Sequence, residues 1–447
     1  MRSNRFFQIV EDLDEFDFKG FNLFKLFYVS LVFRESGRRV SSTDSFFSSR
    51  ILVWGIKRFI AFFRTLFAIL RSGLLDSYKN RVIFYGASDR HVVIDGVKYD
   101  LYNASIIEQK GRSHFFIIED RPSSTVKIYQ PDLYLHDLAP LIGLLYLASY
   151  IFLGRDIKEY AHALTQRYPE LGFSDNEIEK KVLLFYGKFF TYRFLLSLLK
   201  PERVLLIAHY GKEAFIAACQ HSDVQVIELM HGSIIPSHPQ YVFPKSYSDF
   251  FHRSLFPHRL AVYGEYWKQV VVQGNMFPED SILVIGYYLK VPDASHSSQS
   301  LKRTTILITS QPTVQQELCR YVSFLKSRLN QTEWHIIVKP HPMESEDAYA
   351  ALQTPNFVTV SHTNVYELLA ECDIHISVYS SVLYEALRYG VSNYVLYLEA
   401  ARDHCEAIIN SGVAQVLAPD QVPDPSCKPQ VITEFYFADY DSSILFG

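Results

Sequence analysis

The stretch Asp373–Leu398, DIHISVYSSVLYEALRYGVSNYVLYL, constrains the fold more than any other part of the chain. Its apolar run from Ile374 to Val378 reads as a buried strand. Ser380 and Ser381 then open a helix that carries Leu383, Ala386 and Leu387 on one side, Gly390 closes it, and a β-rich run from Tyr394 to Leu398 follows. Apolar strands joined through a helix bury both faces in a parallel sheet covered by helices. The stretch also offers chemistry. Backbone N–H groups at the helix start, beside two hydroxyls, make a phosphate site at the carboxyl end of the sheet. Glu385, about one turn further on, places a carboxylate within reach of a ribose. The alternative is that Ser380 and Ser381 act only as an N-cap pair.

The same strand–helix alternation extends back along the chain. RVLLIAHYG (203–211), VQVIELMHG (224–232), RLAVYG and SILVIGYY (281–288) read as strands separated by helices such as KEAFIAACQH and YWKQVVVQG. TTILITSQP (304–312), EWHIIVKPHP (333–342) and NFVTVSH repeat the pattern in the second half. RVIFYGA, HVVIDGVKYDLY with an Asp95-Gly96 turn, and SHFFIIED are earlier strands. Between about 132 and 200 the pattern is helical, in three pieces: LHDLAPLIGLLYLASYIFLG, DIKEYAHALTQRY and NEIEKKVLLFYGKFFTYRFLLSLLK. The polar stretch 291–303 is the best linker, which divides the 447 residues into an N-terminal domain (1–289), a C-terminal domain (290–420) and a tail (421–447) that crosses back to the first domain.

Polar clusters stand at the strand ends, where ligands bind in open α/β sheets. In the second half these are Ser310-Gln311, Lys339 to Pro342, and Ser380-Ser381. Together they supply the hydroxyls, N–H donors and cations that the phosphates of a nucleotide require. Lys339 and His341 are the charged or donor groups, and His341 and Pro342 sit in a Lys-Pro-His-Pro turn stiffened by its prolines. Lys339 reads equally as a rim salt-bridge partner. In the first half, His209 and His231 end successive strands. His231 has the chemistry of a general base near neutrality, and Glu213, early in the following helix, is its rival. Each reads equally as a structural group, Glu213 as a helix-start carboxylate.

The net charge of −4 excludes a global basic field of the kind nucleic acid demands. The five cysteines are widely spaced with no CxxC pair, and the first residues hold no apolar run fit for a signal peptide, so a cytoplasmic protein is expected. Residues 45–75 contain Arg50, Lys57, Arg58, Arg64 and Arg71 and no acid, interleaved with Phe, Leu, Ile and Trp54. Such a segment suits an anionic membrane surface, or a helix packed on its own domain with its arginines turned outward. There is no HExxH, Walker loop or GxGxxG, and no convincing zinc spacing; Asp12-Leu13-Asp14 and Asp439-Tyr440-Asp441 spell DxD without following a strand.

These residues resemble the bacterial GT-B glycosyltransferases of surface-polysaccharide assembly, the Kdo and sialic acid transferases of capsule and lipopolysaccharide and, more distantly, the CDP-glycerol glycerophosphotransferases. The resemblance spans about residues 200–415. It is carried by His231-Gly232 with His238 and Tyr241, by Val284 to Tyr287, by Lys339 to Pro342, and by Ser380-Ser381 with Glu385. It implies two Rossmann-like α/β domains facing each other across a cleft, and a nucleotide phosphate held by His341-Pro342 and Ser380-Ser381. It also implies a CMP-sugar donor, with Kdo or another nonulosonic acid first, and no cofactor or metal. The acceptor would be a surface glycan or lipid-linked glycan at the inner membrane face. The spelling SSxxxEAxxxG from Ser380 is also similar to UDP-GlcNAc 2-epimerases, where the glutamate meets the ribose. An epimerase-like isomerase and a non-catalytic polysaccharide-assembly protein are the alternatives. The acidic pair followed by glycine that serves as base in the sialyltransferases has no convincing copy here.

Overall fold

The computed structural model describes residues 4–10, 12–35, 81–86, 91–94, 96–122, 127–236, 238–245, 255–291, 303–341, 344 and 347–446. The basic aromatic segment 45–75 lies outside these, as do Pro342 and most of the expected linker.

The strands in chain order are β1 (Asp17–Phe18), β2 (Phe21–Asn22), β3 (Val82–Tyr85), β4 (His91–Ile94), β5 (Val97–Asp100), β6 (Phe115–Glu119), β7 (Leu133–Tyr134), β8 (Arg203–Ile207), β9 (Gln225–Leu229), β10 (Arg259–Val262) and β11 (Ile282–Val284). Those of the second half are β12 (Thr304–Thr309), β13 (Trp334–Lys339), β14 (Val358–Val360), β15 (Ile374–Ser377), β16 (Ser392–Leu396) and β17 (Gln415–Leu417). Two parallel sheets dominate. The first, seven-stranded, has the order β11-β10-β9-β8-β3-β6-β7; the second, six-stranded, has β14-β13-β12-β15-β16-β17. In each sheet the chain starts in the middle, runs out to one edge, and returns to build the other half. Each therefore has one switch point, between β3 and β8 and between β12 and β15, where connections leave in opposite directions and open a crevice at the carboxyl ends. The central strands are buried on both faces, as the apolar runs VIFY, VLLI and ILI require.

The turn expected in HVVIDGVKYDLY is borne out, and three other local expectations are corrected. HVVIDGVKYD forms the antiparallel hairpin β4–β5, outside both main sheets. The two helical pieces around Gly154 are one 29-residue helix, Ala139–Arg167. A glycine inside a helix costs about 1 kcal/mol, and the buried stripe Ile142, Ser149, Ile157, Ala161 and Leu164 outweighs it. The strand expected over 281–288 stops at Val284. Beyond it the C-terminal segment takes over the pairing: Tyr287 N donates to Ala438 O at 2.9 Å, and Asp441 N donates to Ile285 O at 2.9 Å. The strand expected from Tyr394 to Leu398 lies two residues earlier, at Ser392–Leu396, paired with β15 in register Ile376↔Tyr394.

The second long helix, Asp175–Leu199, starts on a capping box: Glu177 N donates to Ser174 Oγ at 3.3 Å, and Ser174 N donates to Glu177 Oε2 at 2.9 Å. It packs against Ala139–Arg167 so closely at Gly187 that a Cβ there would lie 2.9 Å from Ile142 O. The C-terminal segment joins the two halves. Tyr394 OH donates to Asp424 O at 2.8 Å in the second half, and Trp267 Nε1 donates to Tyr436 O at 2.8 Å in the first.

Candidate functional site

The switch point of the second sheet is built on a satisfied polar layer. His375 of β15 is fully buried, with Nε2 2.9 Å from Thr309 Oγ1 and Nδ1 2.8 Å from Asn393 Oδ1. Burial pushes its pKa down to about 4, so it is a neutral strut. Ser377 Oγ donates to Thr309 O at 2.8 Å and ties β15 to β12.

On this layer three strand ends stand side by side. Thr309 and Lys339 are register partners, and Ser310 N donates to Lys339 O at 3.0 Å. Across the switch point Tyr379 N donates to Gln311 Oε1 at 3.3 Å. Lys339, Ser310-Gln311 and Tyr379-Ser380-Ser381 thus form one rim. Their side chains are not equally available. Ser310 Oγ donates to Glu344 Oε1 at 2.9 Å and also bonds Tyr349 OH; Glu344 Oε2 accepts His341 N at 2.6 Å. Glu344 therefore fastens the turn after β13, and sequence reasoning did not single it out. Ser380 Oγ accepts Val382 N at 3.3 Å, whereas Ser381, in helical conformation at the head of the short helix Val382–Glu385, makes no such capping bond. Lys339 is half-buried, burial alone lowers its pKa, and no hydrogen bond or ion pair holds its ammonium among the described residues. Glu385 lies one turn in and is buried. Its Oε1 accepts Tyr366 OH at 3.2 Å and Tyr287 OH at 3.5 Å, and Tyr287 carries the Arg388 guanidinium 4.0 Å from its ring centroid.

At the first sheet, β8 and β9 bring a second set of groups together. Glu228, the next-to-last residue of β9, is fully buried. It accepts His209 N at 3.1 Å, Tyr241 OH at 2.6 Å and a hydrogen bond from His209 Nδ1 at 2.7 Å. Burial alone would raise the pKa of this carboxyl; the His209 imidazole, with His231 and the Tyr241 hydroxyl, outweighs it and holds Glu228 at about 2. Burial lowers the pKa of His209, and burial followed by the imidazoles of His231 and His209 brings His238 to about 3. His231 sits at the rim, half-buried, with Nε2 2.9 Å from Tyr210 OH and its carbonyl accepting Tyr102 OH at 3.2 Å. Glu213 is buried at the first position of its helix, where Oε1 accepts Gly211 N at 2.9 Å and closes the turn between the strand and the helix. A charged residue inside the apolar run VQVIEL is the signal that Glu228 left in the sequence.

The DxD spellings are turn caps: Asp12 Oδ1 accepts Asp14 N at 2.8 Å, and Asp441 Oδ1 accepts Ser443 N at 2.8 Å.

Two parallel sheets of Rossmann strand order, each with polar groups along its carboxyl rim, define a GT-B fold. Solved structures similar to the chain include UDP-GlcNAc 2-epimerase from Methanocaldococcus jannaschii, at 10% identity and TM-score 0.42, over 76% of this chain and 89% of that one. MurG of Acinetobacter baumannii is similar at 12% identity and TM-score 0.41, over 77% and 87%. A glycosyltransferase from Rickettsia africae is similar at 12% identity and TM-score 0.43, over 77% and 85%. No family model matches the chain, and no curated protein matches it. The fold assignment rests on the strand order, not on these likenesses.

Proposed function

We propose that the protein is a metal-independent glycosyltransferase that uses a nucleotide-sugar donor. The second domain holds the nucleotide phosphate on the rim formed by Lys339, Ser310-Gln311, His341 and Ser380-Ser381, with Glu385 facing the ribose. The first domain presents the acceptor and the base. The observation that carries this reading is Lys339, a half-buried ammonium without a partner among the described residues, on the same rim as the Ser381 hydroxyl. A cation kept unpaired there is costly unless an anion completes it.

In the transfer step an acceptor hydroxyl attacks the anomeric carbon of the donor, and the bond from that carbon to the phosphate oxygen breaks. Its electron pair leaves on the phosphate, where Lys339 and the rim donors stabilise the charge. The acceptor proton passes to His231, the better base because its imidazole reaches the rim while Glu213 closes its own turn. The donor proposed first is CMP-activated, a Kdo or other nonulosonic acid, and the acceptor a surface or lipid-linked glycan.

Calorimetric titration with CMP, CDP, UDP and GDP in the absence of metal tests the reading, with His341→Ala alongside. Selective CMP binding that the variant loses supports it. A preference for UDP overturns the donor, and no binding of any nucleotide overturns the enzyme assignment.

A further inference from the structure

The chain leaves β13 as KPHPME, from Lys339 to Glu344, and so brings an acid onto the rim that offers a phosphate its ammonium. The backbone closes the turn, with Glu344 N donating to His341 O at 2.9 Å. The side chain then folds back onto the strand ends. Glu344 Oε1 accepts Ser310 Oγ at 2.9 Å and Tyr349 OH at 2.8 Å, while Oε2 accepts His341 N at 2.6 Å. Two hydroxyls and a backbone N–H converging on a pair of anionic oxygens are the kind of set a phosphate takes at a strand end. Here an internal carboxylate takes it.

That carboxylate is held in place from three directions: the end of β12, the turn after β13 and the helix Asp347–Ala350. Hydrogen bonds to a charged acceptor are stronger than neutral ones, and Ser310 and Tyr349 are both buried, so moving Glu344 away would leave their hydroxyls only each other. Glu344 does not neutralise Lys339. Burial alone lowers the pKa of that ammonium, and no acid acts on it among the described residues.

The rim is therefore divided. At Lys339 and the Ser381 hydroxyl, which makes no capping bond, a phosphate meets a cation and a donor. At Ser310, one strand over and about 4.8 Å away, the donors are taken and the charge is negative. One phosphate fits the first position. A second phosphate on the same nucleotide adds charge that calls for further donors or cations, and the neighbouring strand end meets it with an acid. Arg388, a further cation, lies 4.0 Å from the Tyr287 ring centroid, on the side of Glu385.

We infer that Glu344 is a specificity-determining residue of this site and limits it to nucleotides that carry a single phosphate, whatever their base. This rests on the reading of the rim as a nucleotide site. The test is calorimetric titration of the full chain, without metal, with CMP against CDP and UMP against UDP, for the wild type, Glu344→Gln and Glu344→Asp. Pairing within a base separates phosphate number from base preference. In the wild type the monophosphate is expected to bind at least about tenfold more tightly than its diphosphate. Glu344→Gln removes the charge and is expected to tighten the diphosphate to within about threefold of the monophosphate, while the monophosphate itself changes by less than about threefold. Glu344→Asp keeps the charge and is expected to keep the preference. A merely structural role would weaken both members of a pair together, so equal losses in Glu344→Gln overturn the inference, as does loss of the preference in Glu344→Asp. A wild type that binds diphosphates as tightly as monophosphates overturns it and leaves the nucleotide site standing, and this comparison decides even where a variant does not fold. Binding of no nucleotide overturns the nucleotide site and the inference together.

Discussion

The hydroxyl of Tyr287, on the segment leaving the first sheet, donates to the carboxylate of Glu385 in the second domain at 3.5 Å. Tyr366, from the helix before β15, reaches the same oxygen at 3.2 Å. If Glu385 receives the ribose, its hydroxyls compete with Tyr287 for that oxygen. Removing the Tyr287 hydroxyl takes away a long bond worth about 0.5–1.5 kcal/mol. Tyr287→Phe is therefore expected to bind nucleotide a few-fold more tightly, and Glu385→Ala at least about tenfold more weakly. Calorimetry on the two variants measures both. Unchanged affinity in Glu385→Ala would remove the residue from the nucleotide site.

Lys339 makes a prediction of opposite sign for binding and stability. Burial lowers its pKa with nothing opposite to compensate. The unfolded chain then binds more protons than the folded one between the lowered pKa and the ordinary value of 10.5, so its charge destabilises the fold below that window. Lys339→Met is expected to raise the melting temperature by roughly a few degrees while weakening nucleotide binding about tenfold or more. In the wild type, affinity is expected to fall as pH climbs through that window. A variant that is both less stable and unimpaired in binding would make Lys339 a structural residue.

The legibility of this molecule follows the range of its interactions. Runs such as VLLIA and TILIT announce buried strands because both faces are apolar, and Ser310, Gln311, Lys339 and Ser380 are visible as polar residues where those runs stop. Which rim they share depends on β13, β12 and β15 being neighbours, and no local pattern states that adjacency. Gly154 reads as a break because intrinsic propensity is local, while the burial that overrides it comes from a helix some thirty residues away. The strand over 281–288 stops early because its partner arrives from the C-terminal segment, about 150 residues later. Glu344, on the turn after β13, and Tyr349, in the short helix Asp347–Ala350, occupy the Ser310 hydroxyl from a stretch whose sequence suggests nothing beyond polarity.

Glu228 and His209 predict acid lability in the first domain. The folded pKa of Glu228, about 2, lies below its ordinary value of 4.5, so its contribution to stability is present above 4.5 and is lost as pH falls toward 2. His209, hydrogen-bonded to that carboxylate at 2.7 Å, is the group that holds it down, so the pair titrates as a unit. Melting temperature is expected to decline as pH falls from 4.5 toward 2, and Glu228→Gln, which leaves buried donors mismatched, to cost about 3 kcal/mol or more at pH 7. Thermal melts across that range check both. If the variant melts like the wild type at neutral pH, the buried pair contributes nothing.

Gly286 is where the C-terminal segment crosses the first domain. Its φ of +84° lies in the left-handed region, and a Cβ there would stand 2.1 Å from Asp439 O and 2.6 Å from Tyr440 Cα. Both neighbours are backbone, so the contact cannot be relieved by turning a side chain; the segment itself has to move. That movement breaks the bonds from Tyr287 N to Ala438 O and from Asp441 N to Ile285 O, on either side of the glycine. It also loosens Trp267 Nε1 from Tyr436 O. Gly286→Ala is therefore expected to destabilise the fold by about 2–4 kcal/mol, combining backbone strain with the lost bonds. It should also expose the chain around Ala438 to protease well below the melting temperature, because releasing this segment does not require either sheet to open. Limited proteolysis with mass analysis of the fragments reads this directly. A Gly286→Ala protein that is cleaved no faster there than the wild type would show that the close crossing is not what holds the segment down.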